Sequence, residues 1–198
     1  MKTHTTSAVL FDMDGVLVDS YEAWFRLINA AAEELGYAAI TPEQFRDIWG
    51  QGPDLDVELF FTRHTVQEVA TYYNQHFRDF KEYVRANSSA KEVFQTLHGN
   101  DIGIGVITNT PSPIAREVLG HAELHPDVLV GGTDVPRGKP APDMVFQALE
   151  TLAVSNLHAI LVGDTPFDVQ AAAAAEVTFI PYNIKSAQLR SSAQGSLV

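Results

Sequence analysis

Short runs of apolar and β-branched residues recur along the chain, each broken off by Gly, Pro, Asp or Asn: Ala8 to Phe11, Ile102 to Thr108, Val128 to Gly131, Ala159 to Gly163 and Val177 to Pro181. Runs of this length and composition predict buried strands. Between most of them the period changes to that of a helix, over Ser88 to His98, Pro111 to Leu119, Pro142 to Leu152 and Pro166 to Ala175. Three of these begin at a proline, which suits the first helical turn because its missing N–H would have no partner there anyway. Alternating strand and helix predicts an α/β fold with a parallel sheet and helices on both faces.

One connection breaks the alternation. From Val16 to about Arg85 there is no strand signal, and Trp24, Leu27, Ile28, Ala31 and Leu35 fall on one face at the helical period. Roughly 70 residues far exceed the 2 to 6 of an ordinary βα loop. The predicted organisation is therefore a Rossmann-like core from residues 1–15 and 86–198, with residues 16–85 as a helical insertion after the first strand. In that place it covers whatever the strand ends expose.

Composition narrows the function classes. With 198 residues and 45% hydrophobic content the chain can bury a substantial core. A formal charge of −12 leaves too few lysines and arginines for a basic face, which argues against a nucleic-acid partner. The absence of cysteine removes disulfides, thiol nucleophiles and thiolate metal sites. The polar start MKTHTTS and the short run after it offer neither a signal segment nor a membrane span, so a soluble cytoplasmic protein is expected, as monomer or homodimer. The alanine run Ala171 to Ala175 suits a closely packed helix, and the SSAQGSLV tail is expected to fray.

Ligands of open α/β sheets bind beyond the carboxyl ends of the strands, and the polar clusters of this chain fall there. Asp12 and Asp14 follow the first strand, Thr108 and Asn109 end the second, and Asp164, Thr165 and Asp168 follow the fourth. In an extended chain alternate side chains share a face, so Asp12 and Asp14 would converge. Carboxylates that close repel, and one must gain a cation or hold a proton. One beside Mg²⁺ would serve as nucleophile and its protonated neighbour as general acid. Asp164 and Asp168 add the oxygen ligands Mg²⁺ prefers, Gly15 allows close approach of an anion, and Lys139 and Thr108 supply a charge and a hydroxyl for phosphate oxygens.

Taken together, FDMDG, VITNT, GKPAPD and VGDTPFD, in this order, closely resemble the four signature motifs of the haloacid dehalogenase-like superfamily. The likeness spans nearly the whole chain and points to the branch of the phosphoglycolate phosphatases and β-phosphoglucomutases, which carry a small α-helical cap. The resemblance implies that Asp12 forms an aspartyl-phosphate and that Asp14 protonates the leaving group and then activates water. It implies phosphate binding by Thr108 and Lys139, with Asn109 and Gly15 alongside. It also places Mg²⁺ between Asp12, the Asp14 backbone carbonyl and Asp164, with Asp168 supporting. Because dehalogenase members lack an acid at the position of Asp14, the chain resembles the phosphatases.

In the insertion, RDIWGQGPD resembles the loop that reaches the active site in this branch, which puts Arg46, Trp49 and Gln51 against the leaving group of a small phosphorylated metabolite. The family usually carries a glycine near the end of the helix after GDTPFD, where this chain has Glu176. Two alternatives stand beside the phosphatase: a phosphomutase, for which His64, Arg63 and the WGQG loop are the candidate sugar contacts, and a non-catalytic phosphate-ligand-binding protein. Each single residue also has a structural reading. Thr108 or Asp164 can cap a helix, Lys139 can be solvated, Asp168 can sit on a helix surface, and Trp49 can belong to a small core. The histidines show no metal-ligand spacing.

Overall fold

The computed structural model describes residues 6–182; the first five residues and the SSAQGSLV tail lie outside the described residues. The chain opens with strand β1 (Ala8–Phe11), whose four residues are all buried, as expected of an apolar run covered on both faces. The short strand β2 (Val18–Asp19) leads into α1 (Tyr21–Glu34), α2 (Pro42–Ile48), α3 (Pro53–Leu59), α4 (Val66–His76) and a 3-10 segment, Phe77–Tyr83. Strand β3 (Arg85–Ala86) returns antiparallel to β2, pairing Val18 with Ala86 and Asp19 with Arg85. This ribbon corrects the expectation of an insertion without strands. Two residues per strand are too few for any periodicity to show.

The remainder alternates regularly: α5 (Ala90–His98), β4 (Gly103–Thr108), α6 (Ser112–His121), β5 (Val128–Gly131), α7 (Asp143–Leu152), β6 (Ala159–Gly163), α8 (Pro166–Ala174) and β7 (Thr178–Pro181). The sheet has the order β5-β4-β1-β6-β7, and all its pairings are parallel. Strand β1 is central, with Phe11 in register with Val106 on one side and Val162 on the other. The three strands that carry the polar clusters are therefore neighbours, and their carboxyl ends finish together. Among the described residues no helix is long and apolar enough to cross a membrane.

In α1, Leu27, Ile28 and Ala31 are buried along the predicted face, while Trp24 and Leu35 pack at its margin. Trp24 meets Tyr73 of α4 and Phe77 at ring separations of 5.6 and 5.2 Å, and Tyr21 meets Phe45 and Trp49 at 4.9 and 5.0 Å. Aromatic rings supply much buried area per residue, which suits an insertion this small. Thr41 with Gln44 and Thr65 with Glu68 form capping boxes that start α2 and α4.

Helices α5 to α8 end alike. Asp101, Glu123, Ala153 and Glu176 all adopt φ between 54° and 56°, and the next residue, Ile102, Leu124, Val154 or Val177, donates its N–H five residues back into the helix. The motif satisfies orphan carbonyls and turns an apolar residue inward. It calls for a left-handed residue, and all four positions carry a side chain.

Candidate active site

Asp12 is the first residue past β1, and its N–H still donates to the Val162 carbonyl of β6 at 2.9 Å. The side chain faces Lys139, whose Nζ donates to Asp12 Oδ1 and Asp168 Oδ1, both at 2.6 Å, and to the Ile107 carbonyl at 3.3 Å. Lys139 is 4% exposed, Asp12 3% and Asp168 0%, so neither the solvated lysine nor the surface acid describes them. Asp168 is fixed in turn by a capping box: its Oδ2 accepts from the Thr165 N–H at 3.0 Å and from Thr165 Oγ1 at 2.6 Å. One carboxylate thus starts α8 and anchors the lysine.

Burial raises the Asp12 pKa well above the ordinary carboxylate range and Asp168 adds to the rise, while Lys139 opposes it. For Lys139 burial pushes the pKa down, but the Asp12 and Asp168 charges and their hydrogen bonds push it up further, so it is raised overall. Asp164 is pushed up to about 7, first by burial and then by Asp168. Several clustered carboxylates against one ammonium leave uncompensated negative charge in a low-dielectric place, which favours a further cation.

The donor set fits that cation. Oxygens of Asp12, Asp164 and Asp168 lie within 4.8 Å of one another, and Asp164 Oδ1 is buried with no hydrogen-bond partner. Hard carboxylate oxygens of this kind suit Mg²⁺. Both oxygens of Asp168 already serve Lys139 and Thr165, so Asp12 and Asp164 have the readier ligand atoms. Gly15 has φ +93°, and a Cβ there would stand 2.1 Å from Asp164 Oδ2. Its contribution is room for the Asp164 carboxylate, in addition to the anion approach expected from its sequence.

Asp14 has partners of its own. Its Oδ1 accepts from Ser20 Oγ at 2.5 Å and Trp24 Nε1 at 3.3 Å, and its Oδ2 from Thr110 Oγ1 at 2.7 Å and Thr108 Oγ1 at 3.1 Å. The two aspartates occupy different hydrogen-bond environments: an ammonium for Asp12, hydroxyls and an indole for Asp14. A hydroxyl can donate or accept, so three of the four partners can serve either protonation state. The chain reaches this geometry because it turns back after Gly15, where Asp14 bridges to Val18.

Asn109 is wholly engaged with backbone. Its Nδ2 donates to the carbonyls of Gly50 and Lys139, each at 2.9 Å, and its Oδ1 accepts the Lys139 N–H at 2.8 Å. Trp49 and Gln51 line a narrow cleft of about 40 Å³ with Trp24, Asp56, Tyr73 and Thr110. Arg46 is not brought to it: its side chain is exposed and lies 3.7 Å from Glu43. His64 and Arg63 are likewise turned elsewhere, His64 Nδ1 being 2.9 Å from the Tyr37 hydroxyl and Arg63 donating to the carbonyls of Leu35 and Gly36.

Sequence reasoning did not single out Ser20, Thr110, Asp56 or Tyr73 for the site, and placed Trp24 only in a core. Thr110 had a signal in TNT, two positions past Thr108. For the others no spacing rule pointed inward.

Comparison with known proteins identifies the family. The profile of the family described as haloacid dehalogenase-like hydrolase matches residues 9–181. The phosphoglycolate phosphatase of Yersinia pseudotuberculosis is 32% identical over 187 residues, which covers 88% of this chain and 80% of that protein. A protein of Caldanaerobacter subterraneus subsp. tengcongensis named provisionally as the pyrophosphatase PpaX is also 32% identical, over 86% of this chain and 79% of its own length. CbbY from Rhodobacter sphaeroides, solved with phosphate, superposes with a TM-score of 0.78 at 23% identity over 92% of this chain and 89% of that one, a likeness of fold. With the family's profile matching residues 9–181 and relatives at 32% identity covered over most of their length, the chain belongs to the haloacid dehalogenase-like hydrolases.

Proposed function

We propose that the protein is a cytoplasmic, Mg²⁺-dependent phosphatase of a small phosphorylated metabolite, working through an aspartyl-phosphate on Asp12, with residues 16–85 as a cap over the site. The observation that carries this reading is the separation of the two acids. Asp12 has one oxygen pinned by Lys139 at 2.6 Å, and Asp14 sits among donors of which Trp24 and Thr110 line the cleft.

An Asp12 oxygen attacks phosphorus, the ester P–O bond breaks, and the leaving oxygen takes the proton held on Asp14. Water then attacks the aspartyl-phosphate, gives its proton to Asp14, and the bond from phosphorus to Asp12 breaks to release phosphate. Asp12 and Asp164 would hold Mg²⁺, with Asp168 beside them and the Asp14 carbonyl as a further oxygen. Bound there, the ion supplies charge neutralisation and orientation for the phosphoryl oxygens. Lys139 adds a fixed positive charge on the same side, and the Thr108 hydroxyl lies within the same group.

The relatives named as phosphoglycolate phosphatases support a phosphoglycolate- or sugar-phosphate-like substrate. The test is phosphate release from a panel of small phosphate esters with and without Mg²⁺, with Asp12→Asn as control. Metal-dependent release, absent in the variant, is the expected result; silence of the wild-type protein across the panel overturns the proposal.

A further inference from the structure

The cleft between the insertion and the strand ends is walled on one side by Trp24 and Thr110, which both donate to Asp14. Asp14 does not itself line the cleft but is joined to it through these two donors, so on the phosphatase reading the departing group of the ester lies here. Among the described residues that line it there is no Lys, Arg or His. Its one charged side chain is Asp56 of α3, whose Oδ2 accepts the Tyr73 hydroxyl at 2.8 Å. No protein donor meets Asp56 Oδ1 among the described residues. Aromatic side chains, Trp24, Phe45, Trp49 and Tyr73, line it together with Ile28, Ile48 and two prolines.

The surroundings tell against an anion as leaving group. A carboxylate or second phosphate entering the cleft would meet Asp56 with no cation among the lining residues. Arg46, the basic side chain expected from the sequence to reach the leaving group, is exposed beside Glu43. Aromatic side chains and a carboxylate instead suit a donor-bearing or positively charged group. Burial, partly opposed by the Tyr73 hydrogen bond, pushes the Asp56 pKa up to about 7, which a cationic or hydroxyl partner would reverse.

Resting on the phosphatase reading, we propose that Asp56 sets the specificity of this cleft. It accepts a hydrogen bond from a small leaving group that carries a hydroxyl or ammonium, and it excludes leaving groups that carry a carboxylate or a second phosphate. The volume of about 40 Å³ matches a compact group. Of the two substrate types the phosphatase reading allows, this narrows the choice to the sugar-phosphate side: the Mg²⁺-dependent substrates are then esters of small polyols or amino alcohols, in preference to phosphoglycolate or pyrophosphate.

The experiment compares glycerol 1-phosphate, phosphoethanolamine, phosphoglycolate and pyrophosphate as substrates of the wild-type protein, Asp56→Asn and Asp56→Ser. The asparagine oxygen can still accept from Tyr73, and the serine variant guards against a misfolded first choice. The wild-type protein should favour the better of the two donor esters over both anionic substrates by at least tenfold in kcat/KM. Each variant should narrow that ratio at least tenfold, chiefly through KM. The better donor ester then tells a hydroxyl from an ammonium.

A second arm follows binding of the same compounds to Asp12→Asn by intrinsic fluorescence, since both tryptophans of the chain, Trp24 and Trp49, line the cleft. Donor esters should bind, and the added Asp56→Asn should weaken them at least tenfold. Equal or better use of phosphoglycolate or pyrophosphate by the wild-type protein, or an unchanged ratio in both Asp56 variants, overturns the proposal and leaves the phosphatase reading standing. Selective binding with no turnover of any ester supports the cleft's selectivity and sinks the phosphatase reading instead.

Discussion

The Asn109 amide donates to the Gly50 carbonyl at 2.9 Å, so a side chain at the carboxyl end of β4 grips the backbone of the helical insertion. The same amide group holds both backbone polar atoms of Lys139. Asn109→Ala leaves two carbonyls and an N–H in this buried region without partners, at about 1–3 kcal/mol. For a chain of this size that is a fall in Tm of roughly 2–12 °C. Thermal unfolding should show the fall, and phosphate release should drop with it because Lys139 loses its backbone anchor. An unchanged Tm would mean that the amide contributes nothing to holding these segments.

Lys139 stands between two buried carboxylates, and removing it strands them. Lys139→Met should cost about 3–5 kcal/mol in urea unfolding, the usual penalty for breaking a buried pair from one side. Adding Asp168→Asn should recover part of the stability and none of the activity. If the single variant is as stable as the wild-type protein, the ion pair is not what closes this part of the core.

Asp164, pushed up to about 7, makes the stability of the fold depend on pH. The unfolded chain releases this proton near the ordinary carboxylate range, and the folded protein holds it until about pH 7. Stability without metal therefore falls as pH rises from about 4 to 7, because the folded state binds more protons over that window. Asp56, also near 7, adds to the fall. Mg²⁺ needs the ionised form, so it should stabilise the fold at pH 8, by about 2.7 kcal/mol at a hundredfold excess over Kd and with a matching rise in Tm, and hardly at pH 5. Asp164→Asn should abolish the Mg²⁺ response. Asp56→Asn should flatten the metal-free slope and keep that response, and a response equal at both pH values would contradict the assignment.

Glu176 closes α8 at φ +56°, donating its N–H to Ala173, with the Val177 N–H on Ala172. A left-handed conformation costs a residue with a Cβ about 1–2 kcal/mol, whereas glycine adopts it freely. Glu176→Gly should raise Tm by a few degrees with kcat unchanged, since the turn is remote from Asp12. Lower stability would show that the glutamate side chain contributes more than its backbone loses.

The strand-end chemistry was legible because it combines two strong local signals, a buried apolar run and a polar residue where it stops. Ala8–Phe11 before Asp12 and Ala159–Gly163 before Asp164 read the same in sequence and structure. Helix limits shifted by a residue or two, as at Ala90 in place of Ser88, because caps and first turns share residue types. The β2–β3 ribbon was invisible, being two residues a side. The partners of Asp14 were hidden for another reason: Ser20 and Trp24 reach it only because the chain folds back at Gly15, and nothing in helical periodicity reveals which margin of α1 faces an acid. The Asp56–Tyr73 pair spans 17 residues and two helices, a contact that exists only once α3 and α4 have packed.

The four donors around Asp14 have a bearing on modularity. Thr108 and Thr110 come from the end of β4, whereas Ser20 and Trp24 belong to the start of the insertion. The seam at which one insertion could be transplanted for another without disturbing the acid therefore falls within α1, after Trp24, and not at Val16 where the strand pattern stops. A chimera joined at Val16 inherits foreign neighbours for Asp14; one joined past Trp24 exchanges α2 to α4 and keeps Ser20 and Trp24 beside that aspartate.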